Sequence, residues 1–324
     1  MSFRYIGSKA RLVTSISRHI AEWGGRGKFI DAFCGTGAVA EAAAGAGWPI
    51  HLNDHLACAT TMAAARLIAE RQAKFTGLGG YNAAVNKLNK LRPQHGFMWR
   101  EYSPASITHL GIERRYFREE NAGRIDAVRS TIRSWRQAEV ISGIEERLLI
   151  ADLLSAVSRV ANIAGTYGCF MSKWTLQADE TLELRARVLR SRPVNTHVTT
   201  RDVFNLLVGA DDLVYLDPPY TKRQYASYYH VLETITLGDR PVVKGVAGLR
   251  PWRDKASEFC YKLRALEAIE ALVRSIGARR VLLSYSDEAH VPITDLRAAL
   301  SNLGHVSLHV ARRTAKSPWE RCST

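Results

Sequence analysis

The chain has 324 residues, 46% of them hydrophobic, an ordinary globular composition with enough apolar material for one large or two medium domains. Its formal net charge of +14 points to a polyanionic partner, nucleic acid or an anionic membrane surface. The membrane is the weaker choice, because Arg18 and His19 break the apolar run behind the basic N-terminus and Glu41 interrupts the Ala-rich stretch, so neither a signal peptide nor a spanning helix fits. Cys34, Cys58, Cys169, Cys260 and Cys322 are scattered, with no Cys-x-x-Cys pair, which suits a reduced, cytoplasmic protein. His51 with His55, and His305 with His309, lack supporting ligands, so no metal site is expected.

In chain order, Gly7-Ser8 precedes a helical spacing of Leu12, Ile16 and Ile20. Phe29-Ile30 reads as a strand, Asp31 to Gly37 as a tight turn, the Ala-rich stretch as a helix, and Ile50 to Leu52 as a second strand closed by Asn53-Asp54. This is the opening β-α-β of a Rossmann-like sheet. Gly35-Thr-Gly37-Ala-Val-Ala40 matches a nucleotide-loop pattern, and Asp54 is spaced to accept ribose hydroxyls. Read literally, the pattern says NAD; S-adenosylmethionine qualifies equally, since Asp31 would repel a pyrophosphate yet suit a sulfonium or an ammonium.

From about Ala57 to Gly143 the character changes. Gln94 to Tyr102 and Gly111 to Arg124 lack a regular apolar period and are rich in arginine and aromatics. Arg129, Arg133 and Arg136 share one helical face, as phosphate contacts would require and as a solvated face would also show. Ile144 to Ile163 is a core helix; Asn162 to Trp174, with Lys173, is a loop whose composition suits a hairpin against nucleic acid. Thr196 to Thr200 is a strand ending near Asp202, Ala256 to Ile276 a helix, and Val281 to Tyr285 and Val306 to Val310 are late strands.

The stretch that organises the rest is Leu213 to Tyr220. Its apolar half reads as a buried strand that must stop at Asp217, because Pro218 forces Asp217 into an extended conformation. A carboxylate and a stiff prolyl carbonyl then stand at a strand's carboxyl end, where open α/β sheets bind ligands. Tyr220 adds an aromatic face, so Asp217, Pro218, Pro219 and Tyr220 suit a planar base with an exocyclic amino group: stack the ring, accept the amino hydrogens. The basic and aromatic run after it, with Lys222, Arg223 and Tyr225, is placed to hold the strand around an extruded nucleotide.

Together, Arg4-Tyr-Ile-Gly-Ser-Lys9, Phe29 to Gly37, Asn53-Asp54, Ala164 to Gly168, Asp217-Pro-Pro-Tyr220, Gln224 to Glu233 and Leu283 to Ser286 occur in the order of the Dam-like, alpha-class DNA adenine-N6 methyltransferases, which this chain resembles nearly end to end. The resemblance implies a Rossmann-like, S-adenosylmethionine-dependent methyltransferase fold, with 1–56 and 144–324 as the catalytic domain and 57–143 as an inserted, mainly helical target-recognition region. It implies that Tyr5 and Lys9 meet the methionine end of the cofactor, that Asp31, Phe33, Gly35 and Gly37 form the cofactor loop, that Asp54 holds the ribose, and that Asp202 lies near the adenine ring. Asp217, Pro218 and Tyr220 match the catalytic motif, and Cys34 stands where small or variable residues are usual. Double-stranded DNA is the implied partner, in a bacterial or phage setting that leaves a companion restriction endonuclease open. Cytosine-N4 methylation uses the same amine chemistry, usually with Ser in place of Asp217, and a catalytically idle nucleic-acid-binding module is the rival of another class. The absence of a Pro-Cys step excludes cytosine-C5 chemistry.

Overall fold

Strands buried on both faces need helices above and below, and the apolar residues of the central strands divide accordingly. The computed structural model describes residues 9, 12–24 and 27–311. Five strands, β1 (Phe29–Asp31), β2 (Ile50–Asp54), β3 (Thr196–Thr200), β4 (Leu213–Leu216) and β5 (Arg280–Leu283), form one sheet of order β3-β2-β1-β4-β5. All four pairings are parallel, with Phe29 opposite both Ile50 and Leu213. The helices are α1 (Val13–Glu22), α2 (Ala38–Gly45), α3 (Ala57–Ala65), α4 (Tyr81–Asn89), α5 (Phe97–Tyr102), α6 (Ile107–Leu110), α7 (Glu119–Gln137), α8 (Gly143–Val160), α9 (Tyr225–Tyr228), α10 (His230–Leu237), α11 (Ala265–Ser275) and α12 (Ile293–Ser301).

Phe29, Leu213 and Tyr215 pack with Ile20 of α1 and Val39, Ala40 and Ala43 of α2. Ile30, Val214 and Leu216 turn the other way, towards Ile269 and Leu272 of α11 and Leu296 of α12. From β1 the chain builds outward to β2 and β3, then returns to place β4 on the other side of β1. The order therefore reverses between β1 and β4, and the crevice at the carboxyl ends of these strands is the ligand position of such sheets.

The segment 57–143 is mainly helical, as expected, but its helices are not packed as a separate unit. Residues Cys58 to Ala65 of α3 are all buried, and α3 lies against β2, β3, α8 and α10. Alanines at Ala59, Ala63 and Ala64 permit that close approach. Ile125, Val128 and Ile132 of α7 share one continuous core with Leu149, Leu153 and Val157 of α8 and Leu232 of α10. Ser142 starts α8 with a reciprocal cap: its Oγ accepts from Glu145 N at 3.2 Å, and Glu145 Oε2 accepts from Ser142 N at 2.8 Å.

Two expected elements differ. Residues 305–310 form no strand; Leu308 and Val310 are 54% and 80% exposed, so their alternation meets no partner edge. The helix expected over Ala256 to Ile276 begins only at Ala265. Before it, a short 3-10 turn at Glu258–Cys260 carries Phe259 into the crevice, which is why the apolar spacing there read as helical.

Gly37 also has a different role from the one its motif suggests. It takes φ +78°, and a Cβ there would stand 2.6 Å from Ala63 Cα, so its missing side chain admits α3 rather than a ligand. Gly37→Ala is expected to cost roughly 2 to 3 kcal/mol through strain and overpacking, measured as a lowered urea midpoint at constant slope.

Candidate active site

Each of the three strands around the reversal ends in or just before an aspartate: Asp31 on β1, Asp54 on β2, and Asp217 one residue past β4. All three line one crevice of about 1110 Å³, its open mouth included, together with Lys9, Phe33, Gly35 and Asp202. Its floor is tied across the strands. Asn53 donates to the carbonyls of Ala32 at 3.2 Å and Arg201 at 3.1 Å, and Cys34 N donates to Asn53 O at 2.9 Å. Asp54 accepts from Gly35 N and Leu56 N, both at 3.0 Å, so the carboxylate that the sequence assigns to ribose also shapes the glycine turn.

Burial raises the pKa of all three carboxyls. Asp31 is pushed up by desolvation first, then by the charges of Asp217 and Asp54; an N–H bond from Ala40, in the first turn of α2, partly offsets this. Its Oδ1 has no hydrogen-bond partner among the described residues. Desolvation lifts Asp54 to about 6 against its backbone bonds, and lifts Asp217 to about 6 against the attraction of Lys9. Lys9 Nζ stands 2.9 Å from Asp217 Oδ1 and 5.0 Å from the centre of the Tyr220 ring. The Tyr220 ring in turn meets Tyr285 edge-on at 6.0 Å. A crevice with one orphaned carboxylate oxygen and three crowded acids fits a cation.

Opposite the acids the wall is aromatic. Phe33 meets Phe259 edge-on at 5.6 Å, and Phe204 stacks on Phe259 at 6.1 Å with 5° between planes. Asp202 accepts from Phe204 N at 2.9 Å, which fixes that ring at the crevice edge. Phe204 and Phe259 carried no motif and were missed by the sequence reading. Gln224 and Glu233 lie inside the resembling stretch yet received no role there. Gln224 binds Ser257 twice, donating to its carbonyl at 3.1 Å and accepting from its N–H at 2.8 Å.

The other sequence candidates separate. Tyr5 lies outside the described residues. Tyr225 opens α9 and lines the crevice rather than standing out on the surface. Lys173, Lys222 and Arg223 are exposed. On the arginine face of α7, Arg129 is turned inward, a correction to its reading as a phosphate contact: it donates to Ile235 O at 2.9 Å and Thr236 O at 3.1 Å, while the exposed Arg133 donates to Gly238 O. They satisfy the last carbonyls of α10, which helix geometry leaves open. Arg136 faces Glu146 at 3.7 Å. Among the described residues, no group of three or more potential ligands could hold a metal ion, and no helix is long and apolar enough to cross a membrane.

The profile of the D12 class N6 adenine-specific DNA methyltransferases matches residues 5–298. The chain belongs to that family. Among curated relatives of this D12-class chain, the type II methyltransferase M.FokI of Planomicrobium okeanokoites is 32% identical over 98% of this chain and 49% of its own length. Modification methylase StsI of Streptococcus sanguinis is 29% identical over 90% of this chain and 45% of its own length. The chain thus spans about half the length of these two relatives. Type II methyltransferase M.NlaIII of Neisseria lactamica is 30% identical over 94% of this chain and 89% of its own length. No solved structure matches the chain.

The Lys9–Asp217 contact generates a direct prediction. Lys9→Met removes the one opposing charge, and the Asp217 carboxyl should hold its proton at least about tenfold more tightly, read by carboxyl infrared or NMR titration.

Proposed function

We propose that the protein transfers a methyl group from S-adenosylmethionine to the N6 amino group of adenine in double-stranded DNA, with the target base turned out of the helix. The observation that carries this reading is that Asp217 and Pro219 line the same crevice as Asp31, whose Oδ1 has no hydrogen-bond partner among the described residues, while Lys9 stands between Asp217 and the Tyr220 ring. Family membership supports it.

When bound, S-adenosylmethionine supplies a methyl group made electrophilic by its sulfonium. Asp31 is suited to the cationic methionine end, Asp54 to the ribose hydroxyls, and Phe33, Phe204 and Phe259 to the adenine ring beside Asp202. The chain's remaining work is on the nucleophile. An adenine amino group is poorly nucleophilic because its lone pair is delocalised into the ring. The Asp217 carboxylate and the Pro218 carbonyl each accept one N–H, which favours the pyramidal nitrogen and turns its lone pair towards the methyl carbon. Tyr220 stacks on the base and offsets part of the few kcal/mol that extrusion costs. As the N–C bond forms and the C–S bond breaks, Asp217, with its pKa near 6, is able to hold the proton released from nitrogen. The gain comes from orientation and charge placement, with no covalent enzyme intermediate.

For the DNA, exposed Lys173, Lys222 and Arg223 are the proposed phosphate contacts, and the helical segment between α3 and α8 the proposed reader of target sequence. The designation of relatives as modification methylases supports a companion restriction endonuclease in this setting.

The test is transfer of labelled methyl to unmethylated DNA, followed by digestion and mass identification of the nucleoside. N6-methyldeoxyadenosine is expected; N4-methyldeoxycytidine would overturn the base assignment, and no DNA label the substrate. Asp217→Ala should lower turnover by at least about a thousandfold while cofactor binding stays measurable. Because the acceptor must be ionised and its pKa in the free protein is raised to about 6, kcat/KM should be level above that pH and fall about tenfold per pH unit below it, read from the pH–rate profile.

A further inference from the structure

Glu233 sits in the first turn of α10 with 1% of its surface exposed, an expensive place for a carboxylate. Its Oε2 accepts from Cys58 N at 2.9 Å, and its Oε1 accepts from Ala57 N at 3.1 Å and from Lys255 Nζ at 2.8 Å. The two N–H groups open α3, whose own preceding residue, Leu56, provides no side-chain cap. Glu233 therefore caps a helix from a distant part of the chain. Asp54 accepts from Leu56 N at the same turn, so the position of α3 and that of the ribose-side carboxylate are set together.

Lys255 belongs to the opposite wall. The strap Arg253 to Cys260 brings Lys255, Ser257 and Phe259 to the crevice lining, with Phe259 against Phe33 of the loop after β1. This strap contains only short 3-10 turns, at Arg253–Lys255 and Glu258–Cys260, so its path depends on side-chain anchors. Three are present: Lys255 on Glu233, Ser257 on the Gln224 amide, and Cys260 Sγ donating to Arg223 O at 3.3 Å. Two of those partners, Arg223 and Gln224, lie three and four residues past Tyr220, and Glu233 lies on the helix that comes after them.

We propose that Glu233 and Lys255 form a latch that sets the width of the cofactor crevice, with Glu233 a positioning residue that fixes the start of α3 on one side and the aromatic strap on the other. This rests on the reading that the crevice takes S-adenosylmethionine. Neither residue touches the amino group or the methyl in this scheme, so loosening the latch weakens cofactor capture rather than the chemical step.

The experiment measures the KM for S-adenosylmethionine and kcat at saturating cofactor in the full chain. Lys255→Met is expected to raise that KM about tenfold with kcat changed less than about twofold, and Lys255→Arg to recover most of the affinity. Since Lys255→Met leaves a buried carboxylate without its cation, thermal melting is followed in parallel, and Glu233→Gln with Lys255→Met together removes both charges if the single variant does not fold. A KM within twofold of the parent in a folded variant, or a loss confined to kcat, would overturn the latch. Calorimetry on the parent protein separates the two levels: failure of the parent to bind S-adenosylmethionine removes the cofactor reading itself.

Discussion

Three carboxylates buried around one crevice are an electrostatic load that, among the described residues, one cation, Lys9, meets by an ion pair. The parallel register makes the crowding unavoidable: Asp31 stands opposite Leu52 on one side and Tyr215 on the other, so Asp54 and Asp217 each follow two residues beyond its partners. A carboxyl whose folded pKa is raised stabilises the fold below its unfolded pKa, and that contribution is lost as pH rises through the folded value. For Asp54 and Asp217 the loss runs from 3.8 to about 6, so at neutral pH both weaken the free protein. A cation entering the crevice recovers part of that free energy, which gives the site an affinity derived from its own strain. Lys9 supplies one compensating charge, at Asp217, while Asp31 keeps an unpaired oxygen.

Much of this was legible in the sequence because it rests on local rules. Apolar runs ending in aspartate marked β1, β2 and β4, the glycine turn followed from backbone freedom, and Pro218 fixed where β4 had to stop. What escaped has a shared cause, namely partners far away in the chain. Arg129 looked like a phosphate ligand because a sequence shows its charge but not the carbonyls of Ile235 and Thr236 that take it up. Gly37 looked like a ligand glycine because Ala63 is invisible to a local pattern. Phe259 and Phe204 have no periodic signature, since each comes from a short turn whose purpose is to aim one ring.

The boundary expected after residue 56 was the least legible feature. Composition changes after Asp54, yet packing does not: α3 is at once the crossover next to the sheet and part of the helical core with α8. Burial of small residues on every side of α3 leaves no polar seam at which the two regions could part. The segment read from charge and aromatic content therefore shares its core with α8 and α10, while the two faces of the sheet carry cores of their own.

The arginine pair of α7 carries a further consequence. By holding the terminal carbonyls of α10, Arg129 and Arg133 join the middle of the helical segment to the helix that continues from the Tyr220 loop, with no flexible joint between them. A shift of α7 is therefore passed on to the helix behind the Tyr220 loop. A change at Arg129 or Arg133 withdraws a donor from the α10 terminus, while the outward side of α7 carries no such tie to α10 among the described residues.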